Sequence, residues 1–128
     1  MKLSFKEMIE VAERDIETMP IAEALSSLGS ADTIFIDLRD IREIQRDGLI
    51  PGAFHCPRGM LEFWVHPESP YHKPIFAEQG KKFVFYCASG WRSALATRDV
   101  QALGLSPVAH VEGGFSAWKN AGGSIAEK

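Results

Sequence analysis

The sequence predicts one α/β domain built on a mainly parallel sheet of four to five strands with helices on both faces. Three observations carry that reading. Thr33-Ile34-Phe35-Ile36 and Lys82-Phe83-Val84-Phe85-Tyr86 are short, nearly unbroken apolar runs rich in β-branched and aromatic residues, as strands covered on both faces require. Such runs alternate with segments of helical spacing, which implies βαβ crossovers. The 128 residues match the size of a single domain, and 45% hydrophobic with 24% charged residues is enough to build a core.

Taken in order, Ser4 followed by Glu7 has the spacing of a capping box, and Phe5, Met8, Ile9, Ala12 and Ile16 recur at near-helical intervals. Residues 4–16 therefore read as an amphipathic helix. It belongs to an N-terminal extension, residues 1–17, packed on a domain of residues 18–128. Pro20 suits the first position of a second helix, where its missing N–H costs nothing, and Leu28-Gly29 closes it. The strand at Thr33–Ile36 leads into Asp37-Leu38-Arg39. Residues 40–47 are charged and helical, and the turn Gly48-Leu49-Ile50-Pro51-Gly52-Ala53 delivers a strand over Ala53-Phe54-His55-Cys56.

Residues 57–80 hold four of the seven prolines and form a long irregular excursion, with one helical turn at Met60 to Trp64. The strand at 82–86 follows, then Cys87, then a helix from Ser93 to Leu103 stopped by Gly104. Pro107 to Val111 makes another strand, Glu112-Gly113-Gly114 a loop, and Phe115 to Asn120 a last helix ending near Gly122.

Charge and composition narrow the function. A net charge of −3 with interspersed signs leaves no basic stripe for a phosphate backbone, so no nucleic-acid partner is expected. No run reaches the ~18 apolar residues of a membrane span, and Met1 to Thr18 carries acids where a signal peptide needs an apolar core. A cytoplasmic protein is expected, and two cysteines, Cys56 and Cys87, are too few for a disulfide framework.

The chemistry concentrates in Cys87-Ala88-Ser89-Gly90-Trp91-Arg92-Ser93, at the junction where a buried strand ends and a helix begins. Amides of a tight loop running into a helix start converge on its centre and favour an anion there. That field favours the thiolate of Cys87, the nucleophilic form. Gly90 lets the backbone bend into the cradle, Arg92 adds a permanent charge able to bind oxyanions in a bidentate way, and Ser93 adds a hydroxyl donor. A bare strand-end cysteine is more often simply buried; the Gly, Arg and Ser behind this one favour a reactive thiol.

These residues resemble the rhodanese-like sulfurtransferases, and more narrowly the single-domain members whose loop reads Cys-Ala-Ser-Gly-Trp-Arg-Ser. Asp37-Leu38-Arg39, with Glu43 downstream, is similar to the family's Asp-x-Arg. Gly48-Leu49-Ile50-Pro51-Gly52-Ala53 is similar to its Gly-His-Ile-Pro-Gly-Ala turn, and Glu112-Gly113-Gly114-Phe115-Ser116-Ala117-Trp118 to its closing Glu-Gly-Gly-x-x-x-Trp. The resemblance covers residues 18–123. It departs at Leu49, where the family has histidine, and at Cys56, where it has an aliphatic residue.

The resemblance implies a rhodanese-like fold and a thiosulfate sulfurtransferase-like enzyme. Cys87 would take sulfane sulfur from a donor such as thiosulfate as a persulfide and pass it to cyanide or a thiol. The loop amides would hold the persulfide, Arg92 the arriving or leaving anion, and Asp37 and Arg39 would brace the loop. No cofactor and no metal are implied, and a protein sulfur donor or acceptor is an alternative to small molecules.

The rival readings are a sulfur-carrier or regulatory binding module without turnover, and a cysteine phosphatase or arsenate reductase. Phosphatase loops are Cys-x5-Arg, whereas Cys87 to Arg92 is Cys-x4-Arg, a smaller ring suited to a sulfur atom. His55, Cys56, His66 and His72 fit no zinc spacing. Phe63, Trp64 and Tyr71 read as cover for the sheet, Trp118 as core, and Cys56 as a small buried hydrophobe. Trp91 must either pack under the loop or stand at its mouth.

Overall fold

The computed structural model describes residues 1–128. Its elements are α1 (Phe5–Arg14), β1 (Glu17–Met19), α2 (Ile21–Ser26), β2 (Thr33–Asp37), α3 (Ile41–Asp47), β3 (Phe54–His55), α4 (Leu61–Val65), β4 (Lys82–Tyr86), α5 (Trp91–Leu103), β5 (Val108–Val111) and α6 (Gly114–Asn120). The five strands lie in the order β1-β5-β4-β2-β3, and every pairing is parallel. The predicted α/β architecture is therefore present, with the fifth strand supplied by β1.

Side chains alternate along the strands and divide the core in two. Ile36, Phe83, Phe85 and Val108 face one side, where Ala96 and Val100 of α5 and Leu61 and Val65 of α4 cover them. Phe35, Val84, Tyr86, Ala109 and Val111 face the other, under Ala24 of α2 and Phe115 and Trp118 of α6. Trp118 is the core residue expected, its indole N–H donating to the Ser124 carbonyl at 2.7 Å. Ile9 and Ala12 of α1 pack against Ala94 of α5.

The capping box at Ser4 and Glu7 is formed, with both bonds at 3.1 Å, and α1 runs from Phe5 rather than residue 4. β1 carries no apolar run, and only its parallel pairing with β5, Glu17 to Met19 against Ala109 to Val111, makes it a strand; it crosses the expected boundary between residues 17 and 18. Pro20 is the cap of α2 rather than its first residue, in extended backbone, and α2 ends at Ser26, ahead of Leu28-Gly29. The strand expected over 53–56 is confined to Phe54 and His55.

In the excursion, a 3-10 turn at Arg58–Met60 precedes α4 and another spans Pro74–Ala77. Trp64 covers Phe54 as expected, but Phe63 and Tyr71 are exposed and cover nothing. Leu49, the departure from the family's histidine, is buried, and its backbone exchanges hydrogen bonds of 2.9 and 2.8 Å with Ala126 of the C-terminal tail.

Candidate active site

Cys87 is the first residue beyond β4, on the side of the sheet that α5 covers. Alternation carries Phe83 and Phe85 to Cys87 on that side, so the thiol arrives beneath the start of α5. Gly90, at φ 102°, turns the chain so sharply that α5 begins at Trp91, two residues before the expected Ser93. Trp91 and Arg92 thus ride the first helical turn instead of lying in the loop.

The amides of Gly90 and Ser93 donate to Cys87 Sγ at 3.2 and 3.4 Å. The thiol in turn donates to Ser93 Oγ at 3.5 Å. Cys87 is only 1% exposed, so these contacts lie in a medium that strengthens them.

What turns the amides inward is the other side of the loop. The Cys87 carbonyl accepts from the Phe115 amide at 2.8 Å, and the Ala88 carbonyl from the Ser116 amide at 3.0 Å. The loop's outward carbonyls thus end on the first turn of α6, where free N–H groups are available. That approach leaves no room for a side chain: a Cβ on Gly114 would lie 2.6 Å from the Cys87 carbonyl oxygen, and its φ is +62°. This contact accounts for the second glycine of the closing motif; at the first, Gly113, φ is +72° and a Cβ would lie 2.7 Å from the Ala117 Cβ.

Asp37 and Arg39 are buried beside this seam and do not touch the sulfur's amides. Arg39 binds Asp37 through Nη2 at 2.7 Å and donates to the Gly48 carbonyl at 2.7 Å. Its guanidinium lies 4.2 Å from the centre of the Phe115 ring and 5.7 Å from that of Tyr86. The Tyr86 hydroxyl accepts from the Ile50 amide at 3.1 Å, which ties the Ile-Pro-Gly turn to the end of β4.

Arg92, expected to bind the arriving or leaving anion, is itself paired with a carboxylate. Its two terminal nitrogens bind Glu43 at 2.8 and 2.9 Å, and the guanidinium holds the Glu43 carboxyl down at about 2. Glu43 also closes the cap of α3 by accepting from the Asp40 amide at 2.9 Å. The side chain of Arg92 remains 40% exposed, with the donors not used by Glu43 free to bind. Trp91 stands at the mouth, 56% exposed, with its ring edge-on to Phe5 of α1 at 4.8 Å.

Sequence reasoning missed His110. It sits on β5 on the side of the sheet that Val108 and α5 occupy, and its Nδ1 bonds Ser93 Oγ at 2.9 Å. Burial lowers its pKa, with the Glu13 carboxylate acting against that shift. The legible signal was period-two alternation, which puts Val108 and His110 on the face that carries Phe85 and Cys87. His55 and His66 are engaged locally, at the Arg39 carbonyl and the Glu68 amide.

Residues 21–121 match the family described as Rhodanese-like domain. A mouse protein named thiosulfate sulfurtransferase/rhodanese-like domain-containing protein 3 is 31% identical over 100 residues, which cover 75% of this chain and 64% of that one. The Bacillus subtilis protein named "Putative sulfurtransferase YtwF" is 30% identical over 83% of this chain and 90% of its own. A Rhodopseudomonas palustris structure, described as a protein of unknown function and possible tyrosine phosphatase, is 55% identical, with a TM-score of 0.93 over 98% of this chain and 96% of that one. A Pseudomonas aeruginosa thiosulfate sulfurtransferase shares 25% identity and a TM-score of 0.70, over 88% of this chain but 19% of that one. With the family match spanning every strand except β1, the chain belongs to the rhodanese-like domain family.

Proposed function

We propose that the chain is a sulfurtransferase that carries sulfane sulfur as a persulfide on Cys87. The observation that supports this best is the pair of amides from Gly90 and Ser93 aimed at a single sulfur atom, in a loop whose carbonyls are occupied elsewhere. In the first half-reaction the Cys87 thiolate bonds the outer sulfur of a donor such as thiosulfate. The donor's S–S bond breaks, and its electron pair departs with sulfite. In the second half, a thiolate or cyanide bonds the outer sulfur of the persulfide, and the electron pair returns to Cys87.

Donated N–H groups stabilise the negative sulfur at both stages without reorganising. Burial keeps water off the persulfide. The exposed donors of Arg92 meet the sulfonate of the arriving donor, while Glu43 holds the guanidinium in register. Asp37 and Arg39 act at one remove, by pressing Phe115 against the loop. Trp91 and Phe5 limit access at the mouth.

A second reading follows from the description of the Rhodopseudomonas palustris relative as a possible tyrosine phosphatase. The four-residue spacing between Cys87 and Arg92 is against it, because a phosphoryl group needs the wider ring. Intact mass spectrometry after incubation with thiosulfate separates the readings. The wild type is expected to gain one sulfur atom, cyanide to remove it, and Cys87→Ser to gain none. Sulfur uptake that cyanide cannot reverse but a protein thiol can would make the chain a carrier without turnover. Aryl phosphate hydrolysis with no sulfur uptake would overturn the reading in favour of a phosphatase.

A further inference from the structure

Behind the sulfur runs a continuous line of polar groups that ends outside the family match. Cys87 Sγ donates to Ser93 Oγ at 3.5 Å, and Ser93 Oγ bonds His110 Nδ1 at 2.9 Å. On the far side of the ring, Nε2 lies 3.2 Å from Thr18 Oγ1 and 3.5 Å from Glu13 Oε2. Glu13 belongs to α1 and Thr18 to β1, both before residue 21, where the family match begins. Ser93 and His110 are buried, whereas Glu13 is 38% exposed. The line therefore connects an enclosed thiol to solvent.

We propose that His110 is a positioning residue that takes up the Cys87 proton through Ser93, and that α1 and β1 complete the site by supplying Glu13 and Thr18 to hold the resulting imidazolium.

The directions of the hydrogen bonds agree along its length. With the thiol donating to Ser93 Oγ, the Ser93 hydroxyl has its own proton to give and His110 Nδ1 accepts it. The ring then carries its hydrogen on Nε2, facing Thr18 and Glu13. Ionisation moves the thiol proton to Ser93 Oγ as the Ser93 proton moves to Nδ1. The thiol becomes a thiolate, the serine is unchanged, the imidazole becomes an imidazolium, and no proton leaves the site. The thiolate keeps the two amide donors, and the imidazolium faces a carboxylate. This has the order nucleophile, base, orienting acid that activates weak nucleophiles elsewhere, with one hydroxyl interposed.

The groups against the ring are Glu13 from α1, Thr18 from β1, Ser93 from α5 and, through Ser93, the Cys87 thiol; β4 offers Phe85 as the register partner. Glu13 is the one charged group among them, so the imidazolium has no cation to repel it. The extension is also held in place for this. Gln101 of α5 donates to the Asp15 carbonyl at 2.6 Å, just beyond the end of α1, and Phe5 rests on Trp91 at the other end. A Cβ on Gly90 would lie 3.9 Å from His110 Cε1, which places the ring directly beneath the loop.

The proposal rests on Cys87 being the reacting thiol, so the test reads ionisation directly and does not depend on sulfur transfer. Ultraviolet thiolate absorbance is followed against pH in the full chain carrying Cys56→Ala, with Cys87→Ser as the blank. The His110→Gln variant is expected to raise the thiolate midpoint by about one pH unit or more, an about tenfold loss of thiolate at fixed pH. Glu13→Gln, at a partly exposed helix position, is expected to raise it by less than half as much. Thr18→Ser, which keeps the hydroxyl, is expected to leave the midpoint at the wild-type value. A wild-type or lowered midpoint in either folded His110→Gln or Glu13→Gln overturns the relay, whether or not the protein transfers sulfur.

Discussion

Cys56 and Cys87 occupy matching places in one sheet. Each follows a parallel strand, β3 and β4 respectively, each is buried, and β2 alone separates those strands. The one hydrogen-bond partner of the Cys56 sulfur is the Pro57 carbonyl at 3.9 Å, and that acceptor can bind a thiol but not a thiolate. Burial, with help from Glu62, pushes its pKa up to about 12. Around Cys87 the polarity is reversed: two amides donate to the sulfur and Ser93 receives its proton. Burial is common to both and decides nothing. What separates an inert thiol from a candidate nucleophile here is which way the neighbouring peptides point.

That orientation at Cys87 depends on α6, so the largest effect is expected where α6 meets the loop. In Gly114→Ala the new Cβ collides with the Cys87 and Ala88 carbonyls at 2.6 to 2.8 Å and must adopt a positive φ. The expected cost is about 2–4 kcal/mol in urea unfolding. Sulfur uptake from thiosulfate should fall at least about tenfold in whatever protein remains folded, because the amides can no longer be held inward. The matching change near Cys56 is Gly59→Ala, which meets nothing within 4 Å and should stay within about 0.5 kcal/mol of wild type. Equal losses in the two variants would erase the distinction between the loops.

The brace on the far side of the Cys87 loop gives the next effect. Glu43 ties α3 to Arg92, and its carboxyl sits at about 2 in the fold against an ordinary 4.5. A lowered folded value means the unfolded chain binds more protons in the acid range. The contribution is therefore complete above about 4.5 and disappears as pH falls through about 2. Screening at the half-exposed Arg92 reduces it to about 1–2 kcal/mol. Glu43→Gln should lose that amount at neutral pH by urea unfolding and converge on wild type near pH 2. It should also free the guanidinium and alter the thiosulfate KM more than the rate of sulfur uptake.

The regions differ in legibility as they do in chemistry. β4 is readable to the residue, because a buried parallel strand is one unbroken apolar run and needs no partner to be recognised. The cysteine loop is readable because its chemistry is contiguous: Cys87, Gly90, Arg92 and Ser93 lie within seven residues. His110, Glu13 and Thr18 lie up to 97 positions apart along the chain, counted from Glu13 to His110, and only the sheet order β1-β5-β4 and the packing of α1 on α5 bring them to the thiol. β1 was unreadable for the same reason, since Glu17-Thr18-Met19 has no pattern of its own. The pairing of Arg92 with Glu43 spans 49 positions, and no contiguous pattern announces it. Contiguous motifs point to the centre of the candidate site, while the residues around it are brought there by topology.

The smallest effect isolates Cys56. Below its unfolded value of 9.0 its thiol is protonated in both states, and Cys56→Ala removes only packing, about 1 kcal/mol at neutral pH. Above 9.0 the unfolded chain releases that proton, while the folded chain keeps it up to about 12. The folded state then binds more protons than the unfolded one, so wild-type stability falls as pH rises through that window. The alanine variant lacks this loss, and its urea midpoint should decline less steeply than wild type from neutral pH into the range just above 9.0. Sulfur uptake at Cys87 should be untouched throughout. Parallel declines would mean that Cys56 ionises as easily folded as unfolded, and that its carbonyl neighbour does not distinguish it from Cys87.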